Sequence, residues 1–182
     1  MEYLDIVDEN GALTGCTVSR EEAHRAGIRH RTAHVWVVRQ KEDGYDILLQ
    51  KRSAQKESYP GMYDTSSAGH ISAGEEPLPS ALRELKEELG ITALPEQLHY
   101  AGTFRIQYEK MFRGVLFRDN EVTRVYVYQE PVDIDALRLQ ESEVSEVRWF
   151  DLEAVWEEIK HSRERICVPS QGLEILRSYL AR

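Results

Sequence analysis

One stretch, GHISAGEEPLPSALRELKEELGI from Gly69 to Ile91, constrains this chain more than any other. Residues 77–89 have helical spacing: Pro77 suits a first turn, Pro79 is early enough to be tolerated, and Gly90 suits a C-terminal cap. At about 100° per residue, Leu78, Ala81, Leu82, Leu85 and Leu89 form one apolar stripe. Glu84, Glu87 and Glu88 fan out over about 100° immediately beside it. Like charges three or four residues apart on a helix repel by roughly 0.2–0.5 kcal/mol per pair. Acid concentrated at the margin of a core therefore calls for a reason. Taken alone, the helix supports two readings. Charge runs are usually solvated surface. Three carboxylates on adjacent turns also suit Mg²⁺, which takes a few carboxylates together with waters and substrate phosphates.

The rest of the chain reads as strands. YLDIVDENGALTGCTVS predicts a hairpin around Asn10-Gly11, and Ser19 caps a short helix closed by Gly27. AHVWVVRQ and YDILLQKR are two further strands, followed by a loop, SAQKESYPGMYDTSSAG. LHYAGTFRIQYE, VLFRD, EVTRVYVYQE and EVSEVRWF alternate as strands. DLEAVWEEIKHS, capped by Asp151, and SQGLEILRSYLAR are helices. The expectation is an α+β domain, a mixed sheet with about three helices. At 182 residues, one domain is expected.

Bulk chemistry excludes several classes. A net charge of -9 argues against a general nucleic-acid or anionic-membrane binder, though local cations or a metal can still serve a small anionic substrate. Cys16 and Cys167 form no CxxC pair, so neither a disulfide framework nor a structural zinc site is expected, and a reducing cytoplasm is the plain reading. MEYLDIVDENG is not expected to be a secretory signal, and no apolar run is long enough to cross a membrane.

The spacing of the whole opening stretch decides between the two readings of the helix. Gly69, five residues, Glu75, seven residues, then Arg83-Glu84-Leu85-Lys86-Glu87-Glu88-Leu89-Gly90-Ile91 fills every fixed position of the Nudix box, G-x5-E-x7-R-E-U-x-E-E-x-G-U with U aliphatic. The chain thus resembles the Nudix hydrolases. The resemblance implies an α/β/α sandwich around a mixed sheet, with the box as loop-helix-loop, and Mg²⁺- or Mn²⁺-dependent hydrolysis of a diphosphate linked to another moiety. It makes residues 1–28 an N-terminal hairpin with a short helix, and 29–182 the core. It implies Glu84, Glu87 and Glu88 as metal ligands, with Glu84, Glu88 and Arg83 as the catalytic set. Arg83 would orient the carboxylates, Glu75 brace the loop, and Gly69 and Gly90 permit the turns. Glu84, Glu88 and a carboxylate outside the box, such as Glu143 or Glu146, all stay open as general base.

A narrower resemblance covers most of the chain. DIVDENG, RHRTAHVWV, QKRSAQKESYPGMYDTSSAGH and EVSEVRWF look like the branch containing isopentenyl-diphosphate isomerase and its hydrolase relatives. Its diphosphate-binding Arg and Lys fall at Arg52 and Lys56, both natural phosphate partners. Its histidine–carboxylate metal site falls at His70 and His30, more loosely at His24, and at Asp119 with Glu121. Two departures separate this chain from the isomerases. Their catalytic cysteine is Ala68 here, and Glu84 and Glu87, which they lack, are present. A hydrolase on an isomerase-like frame is therefore expected. The alternatives are a catalytically silent ligand-binding module and, least favoured, an isomerase. Tyr63, with Tyr59, Trp36, Phe104 and Tyr108, is a candidate for contacting the substrate. A small-molecule diphosphate is the expected partner, and both monomer and homodimer remain open.

Overall fold

A computed structural model describes all 182 residues. Strands β1 (Tyr3–Val7) and β2 (Leu13–Ser19) pair antiparallel as a separate two-stranded sheet. Asp8 closes their turn, accepting from the amides of Asn10 and Ala12. Helix α1 (Arg20–Ala26) follows, with Ser19 as N-cap and Gly27 in the left-handed conformation at its end. Leu4, Val18 and Ala23 form a small core of their own, so the hairpin does not extend the main sheet.

The main sheet has seven strands: β3 (His30–Lys41), β4 (Gly44–Arg52), β5 (Tyr63–Asp64), β6 (Ser67–His70), β7 (His99–Phe112), β8 (Val115–Tyr128) and β9 (Val144–Asp151). Its central path runs β5-β4-β3-β8-β7. Strand β3 lies parallel to β8 along one edge, from His30↔Glu121 to Val37↔Tyr128. Along its other edge it splits its pairing, Thr32–Val35 with β6 and Val38–Lys41 with β4. Strand β9 pairs antiparallel with β4, making the sheet mixed.

Helix α2 (Pro77–Leu89) covers one face of the sheet, and α3 (Leu152–His161) with α4 (Ser170–Leu180) covers the other. Strand alternation sorts β3 between the two layers. Ala33, Val35 and Val37 meet Ala81, Leu85 and Leu89 of α2, while Trp36 and Val38 meet Leu152, Ile159, Leu173 and Leu176. Each fully buried leucine in these layers contributes about 2 kcal/mol of transfer free energy. The expected α/β/α sandwich on a mixed sheet, with its N-terminal hairpin, is what the chain forms.

Three local expectations need correction. Residues 53–69 are not loop throughout, because β5 and β6 lie within them and pair with β4 and β3. VLFRD and the EVTRVYVY part of EVTRVYVYQE belong to one 14-residue strand ending at Tyr128, because β7 pairs along it from Val115↔Phe112 to Val127↔His99 with one bulge between Tyr100 and Gly102. The helices number four, the short α1 included.

Candidate active site

Helix α2 brings the box carboxylates against the end of β6. Its apolar stripe seats on the sheet, which turns the adjacent positions toward the strand. Gly90, at φ +74, ends the helix, and its amide bonds Lys86 O at 2.9 Å. The backbone and Cβ of Arg138 close in on Gly90, so a side chain there would meet them as well as a strained φ. Gly69 serves a different purpose. A Cβ on it would overlap the carboxylate of Glu84, so the missing side chain is the space that Glu84 occupies.

The three box glutamates occupy three environments. Glu88 is 4% exposed, and its Oε2 accepts from the Ala68 amide at 3.1 Å and from Gln50 Nε2 at 3.0 Å. Burial, with Glu84 nearby, pushes its carboxyl up to about 8. Glu84 is largely buried, and desolvation raises its pKa too, opposed by Arg83. Glu87 is half exposed. Arg83 ties the set together: Nη1 donates to Glu84 at 2.8 Å and to Glu87 at 3.3 Å, and Nη2 donates to Glu75 at 3.3 Å. Glu75 also accepts from Ser80 Oγ at 2.8 Å, bracing the loop against the helix. The ligand atoms of Glu84, Glu87 and Glu88 do not converge as one tight group; the groups that do are built on histidine.

One group is His24, His30 and His70; the other is His30, Asp119 and Glu121. They come from α1, β3, β6 and β8, so sheet pairing and the packing of α1 against β8 together assemble them. His24 Nε2 lies 3.1 Å from His70 Nε2, His24 Nδ1 3.7 Å from Asp119, and His30 Nε2 3.8 Å from Glu121. His30 Nδ1 bonds Ile28 O at 2.8 Å, so it carries the proton and Nε2 presents a lone pair to the cluster. Burial lowers the pKa of all three histidines, that of His24 to about 4, keeping the rings neutral. Burial and Glu121 raise the Asp119 carboxyl. His30 Nε2 and Asp119 Oδ1 are buried with no hydrogen-bond partner in the chain. Neutral imidazoles, carboxylates and unpartnered buried donor atoms are the chemistry of a borderline divalent-cation site, and these residues fit one. No motif spacing marks Thr32, which donates to Glu121 at 3.0 Å, or Phe117, which stacks on His24 at 4.3 Å. For Thr32 the available signal is a polar residue inside an otherwise apolar strand, and the same holds for Gln50.

The expected phosphate partners are engaged within the chain. Arg52 donates to Asp64 at 3.1 Å and to Ser58 O and Oγ at 2.9 and 3.0 Å, and Lys56 is paired with Glu143. Glu146 accepts from the Tyr63 hydroxyl at 2.7 Å. Tyr63 itself packs on Phe150 in the layer of α3 and α4, away from the box helix. Trp36 and Phe104 are core residues, fully buried and 7% exposed, which removes both from the substrate-facing candidates. Tyr59, at φ +46, meets Phe112 at 4.8 Å and Tyr108 at 6.1 Å where the tip of the β7–β8 hairpin comes down on the loop after β4. Of the two thiols, Cys16 is exposed on β2. Cys167 lies beside β5, and burial pushes its thiol well up. Neither lies beside Ala68 on β6.

The fold is a three-layer sandwich that carries a glycine-bounded acidic helix beside a histidine–carboxylate cluster whose atoms suit a divalent cation. The chain belongs to the Nudix family, whose NUDIX domain matches residues 28–170. The hairpin and all of α1 precede that match. The chain is 41% identical over 154 residues to Nudix hydrolase 3 of Arabidopsis thaliana, covering 84% of this chain and 19% of the plant protein. It thus spans about a fifth of that relative's length. It is 33% identical over 156 residues to the isopentenyl-diphosphate Delta-isomerase of Dinoroseobacter shibae, covering 86% of this chain and 82% of the isomerase. The crystal structure of DR0079 from Deinococcus radiodurans superposes with a TM-score of 0.72 at 17% identity, covering 98% and 99% of the two chains, a likeness of fold.

Proposed function

We propose that this protein is a metal-dependent hydrolase that cleaves the diphosphate linkage of a nucleoside di- or triphosphate or a related X-linked diphosphate. One observation carries the reading against the isomerase alternative. The backbone amide of Ala68, at the isomerase cysteine position, holds the carboxylate of Glu88, and the side chain there is a methyl group. The position is built into a carboxylate site and offers no thiol for proton transfer to carbon. The intact acid set argues against a silent binding module.

In this reading Glu84, Glu87 and Glu88 hold Mg²⁺ or Mn²⁺, and His30, His70, Asp119 and Glu121, with His24, hold a second cation. A bound cation supplies Lewis-acid polarisation of the phosphoryl oxygens and neutralises charge on the leaving phosphate. Arg83 keeps Glu84 and Glu87 oriented, and Glu75 keeps Arg83 in place. Gln50 and the Ala68 amide hold Glu88 in one rotamer. Arg52 and Lys56 bind the diphosphate, whose oxygens compete with Asp64 and Glu143 for them. Tyr63 does not support substrate contact from its place beside Phe150; Tyr59 and Tyr108 are better placed for that role. No helix is long and apolar enough to cross a membrane.

The test is phosphate and pyrophosphate release with and without Mg²⁺ or Mn²⁺. The panel holds nucleoside di- and triphosphates, ADP-ribose, NADH and isopentenyl diphosphate, with Glu84→Gln as the blank. Metal-dependent release that disappears in the variant supports the hydrolase. Isomerisation of isopentenyl diphosphate, or ligand binding without turnover across the panel, overturns it.

A further inference from the structure

The N-terminal hairpin does more than cover an edge, because its first strand is tied to the loop that launches α2. Leu4 bridges Ser72 antiparallel, and the Ala73 amide donates to Tyr3 O at 2.8 Å. Asp5 Oδ2 accepts from the Gly74 amide at 2.9 Å and from Arg31 Nη2 at 2.9 Å. The same Arg31 Nη2 donates to Glu75 O at 2.9 Å. The Asp5 and Arg31 side chains are 14% and 11% exposed, so solvent screens the pair only weakly. Gly74 sits at φ +80, so the loop turns where Asp5 grips it. From Glu75 the path continues through its carboxylate to Arg83, and from Arg83 to Glu84 and Glu87. One chain of hydrogen bonds therefore connects a residue of β1 to the acids of the box.

We propose that Asp5 is a positioning residue for the box carboxylates. It fixes the Gly74–Glu75 turn and the Arg31 guanidinium, and these set where Glu75 holds Arg83. The inference rests on the metal-site reading of the box. It gives the hairpin, which precedes the matched family segment, a part in building the site. The alternative is a plain structural tie, in which Asp5 stabilises the hairpin and leaves the box unaffected.

Mn²⁺ binding to the metal-free protein separates the two, measured by electron paramagnetic resonance at a temperature where every variant is folded. The signal is that part of binding abolished by Glu84→Gln. Asp5→Ala weakens this binding by about 10-fold or more, the usual scale for losing a residue that orients a ligand. Asp5→Ala added to Glu75→Gln weakens it no further than Glu75→Gln alone, because both act on one path. Thr14→Val, which removes the 2.8 Å bond from Thr14 to Ile6 O elsewhere in the hairpin, leaves it within twofold. Asp5→Val, which suits a strand and also removes the acceptor, replaces Asp5→Ala if circular dichroism shows the latter unfolded. Unchanged Mn²⁺ affinity in the folded Asp5 variant, full additivity with Glu75→Gln, or an equal effect of Thr14→Val overturns the proposal alone. Absence of Glu84-dependent Mn²⁺ binding in the wild type overturns the metal-site reading, and this inference with it.

Discussion

Glu88→Gln should stabilise the metal-free protein at neutral pH, by an amount that vanishes in acid. Glu88 is 4% exposed, and its carboxyl is pushed from 4.5 up to about 8. The raised value means the folded state holds this proton more tightly than the unfolded chain does. Stability is therefore fully present below 4.5 and is lost as pH rises toward 8. Linkage gives a cost of about 1 kcal/mol at pH 5 and about 3 kcal/mol at pH 7. Glutamine removes the ionisation but keeps an oxygen that can accept from the Ala68 amide and Gln50 Nε2, as Glu88 Oε2 does. The gain in Tm over wild type should be roughly 6–12 °C at pH 7 and near zero at pH 4, with EDTA present. Thermal unfolding followed by circular dichroism across that range measures it. With saturating Mn²⁺ the order should invert, because metal stabilises only a chain whose ligand has lost its proton. A variant that is destabilised in EDTA, or stabilised equally at pH 4 and 7, refutes the electrostatic reasoning and with it the burial argument for Glu88.

Gly69→Ala should cut turnover by at least tenfold with little loss of Tm, because the new methyl displaces the mobile end of Glu84 rather than backbone; unchanged kcat in steady-state kinetics counts against it. His30→Ala should lower bound Mn²⁺ by one equivalent per chain without abolishing the Glu84-dependent equivalent, as read by elemental analysis after dialysis; loss of neither or of both would dissolve the two-site reading. Lys56→Ala should raise KM for the diphosphate substrate far more than it lowers kcat, and Glu143→Gln, which frees Lys56 from its pair, should lower KM; the reverse pattern in either variant removes Lys56 from the phosphate site. Asp151→Ala should cost about 1 kcal/mol by urea denaturation, the usual loss for an N-cap, since Asp151 accepts from the Ala154 amide at 2.7 Å and also pairs with Lys41.

The box helix was legible in full. Its apolar stripe, its proline start and its glycine stop are local signals read within a few turns, and α2 spans residues 77–89 as they imply. The hairpin, the caps at Ser19 and Asp151, the apolar runs of β3 and β4 and the alternation of β7 and β9 are local in the same sense. The short strands β5 and β6 were not legible, since two and four residues carry no periodicity and exist as strands only through their partners. The division of VLFRD from EVTRVYVYQE failed for the same reason, because a continuous β7 carries β8 through the polar Asp119-Asn120.

For the site, the sequence alone determined the chemistry on offer: three glutamates with an arginine in one helical unit, histidines, two cations, and alanine in place of a thiol. Only the tertiary structure decided how those groups meet. It gathered His24, His30, His70, Asp119 and Glu121 from four elements, paired Arg52 with Asp64 and Lys56 with Glu143, and sent Trp36 and Tyr63 into the core behind the sheet. It also joined Asp5 to the box across nearly seventy residues of chain. Spacing along one helix is set by covalent geometry and can be counted in residues. Proximity between strands is set by register and by which face each side chain takes, and those follow from packing the whole chain at once.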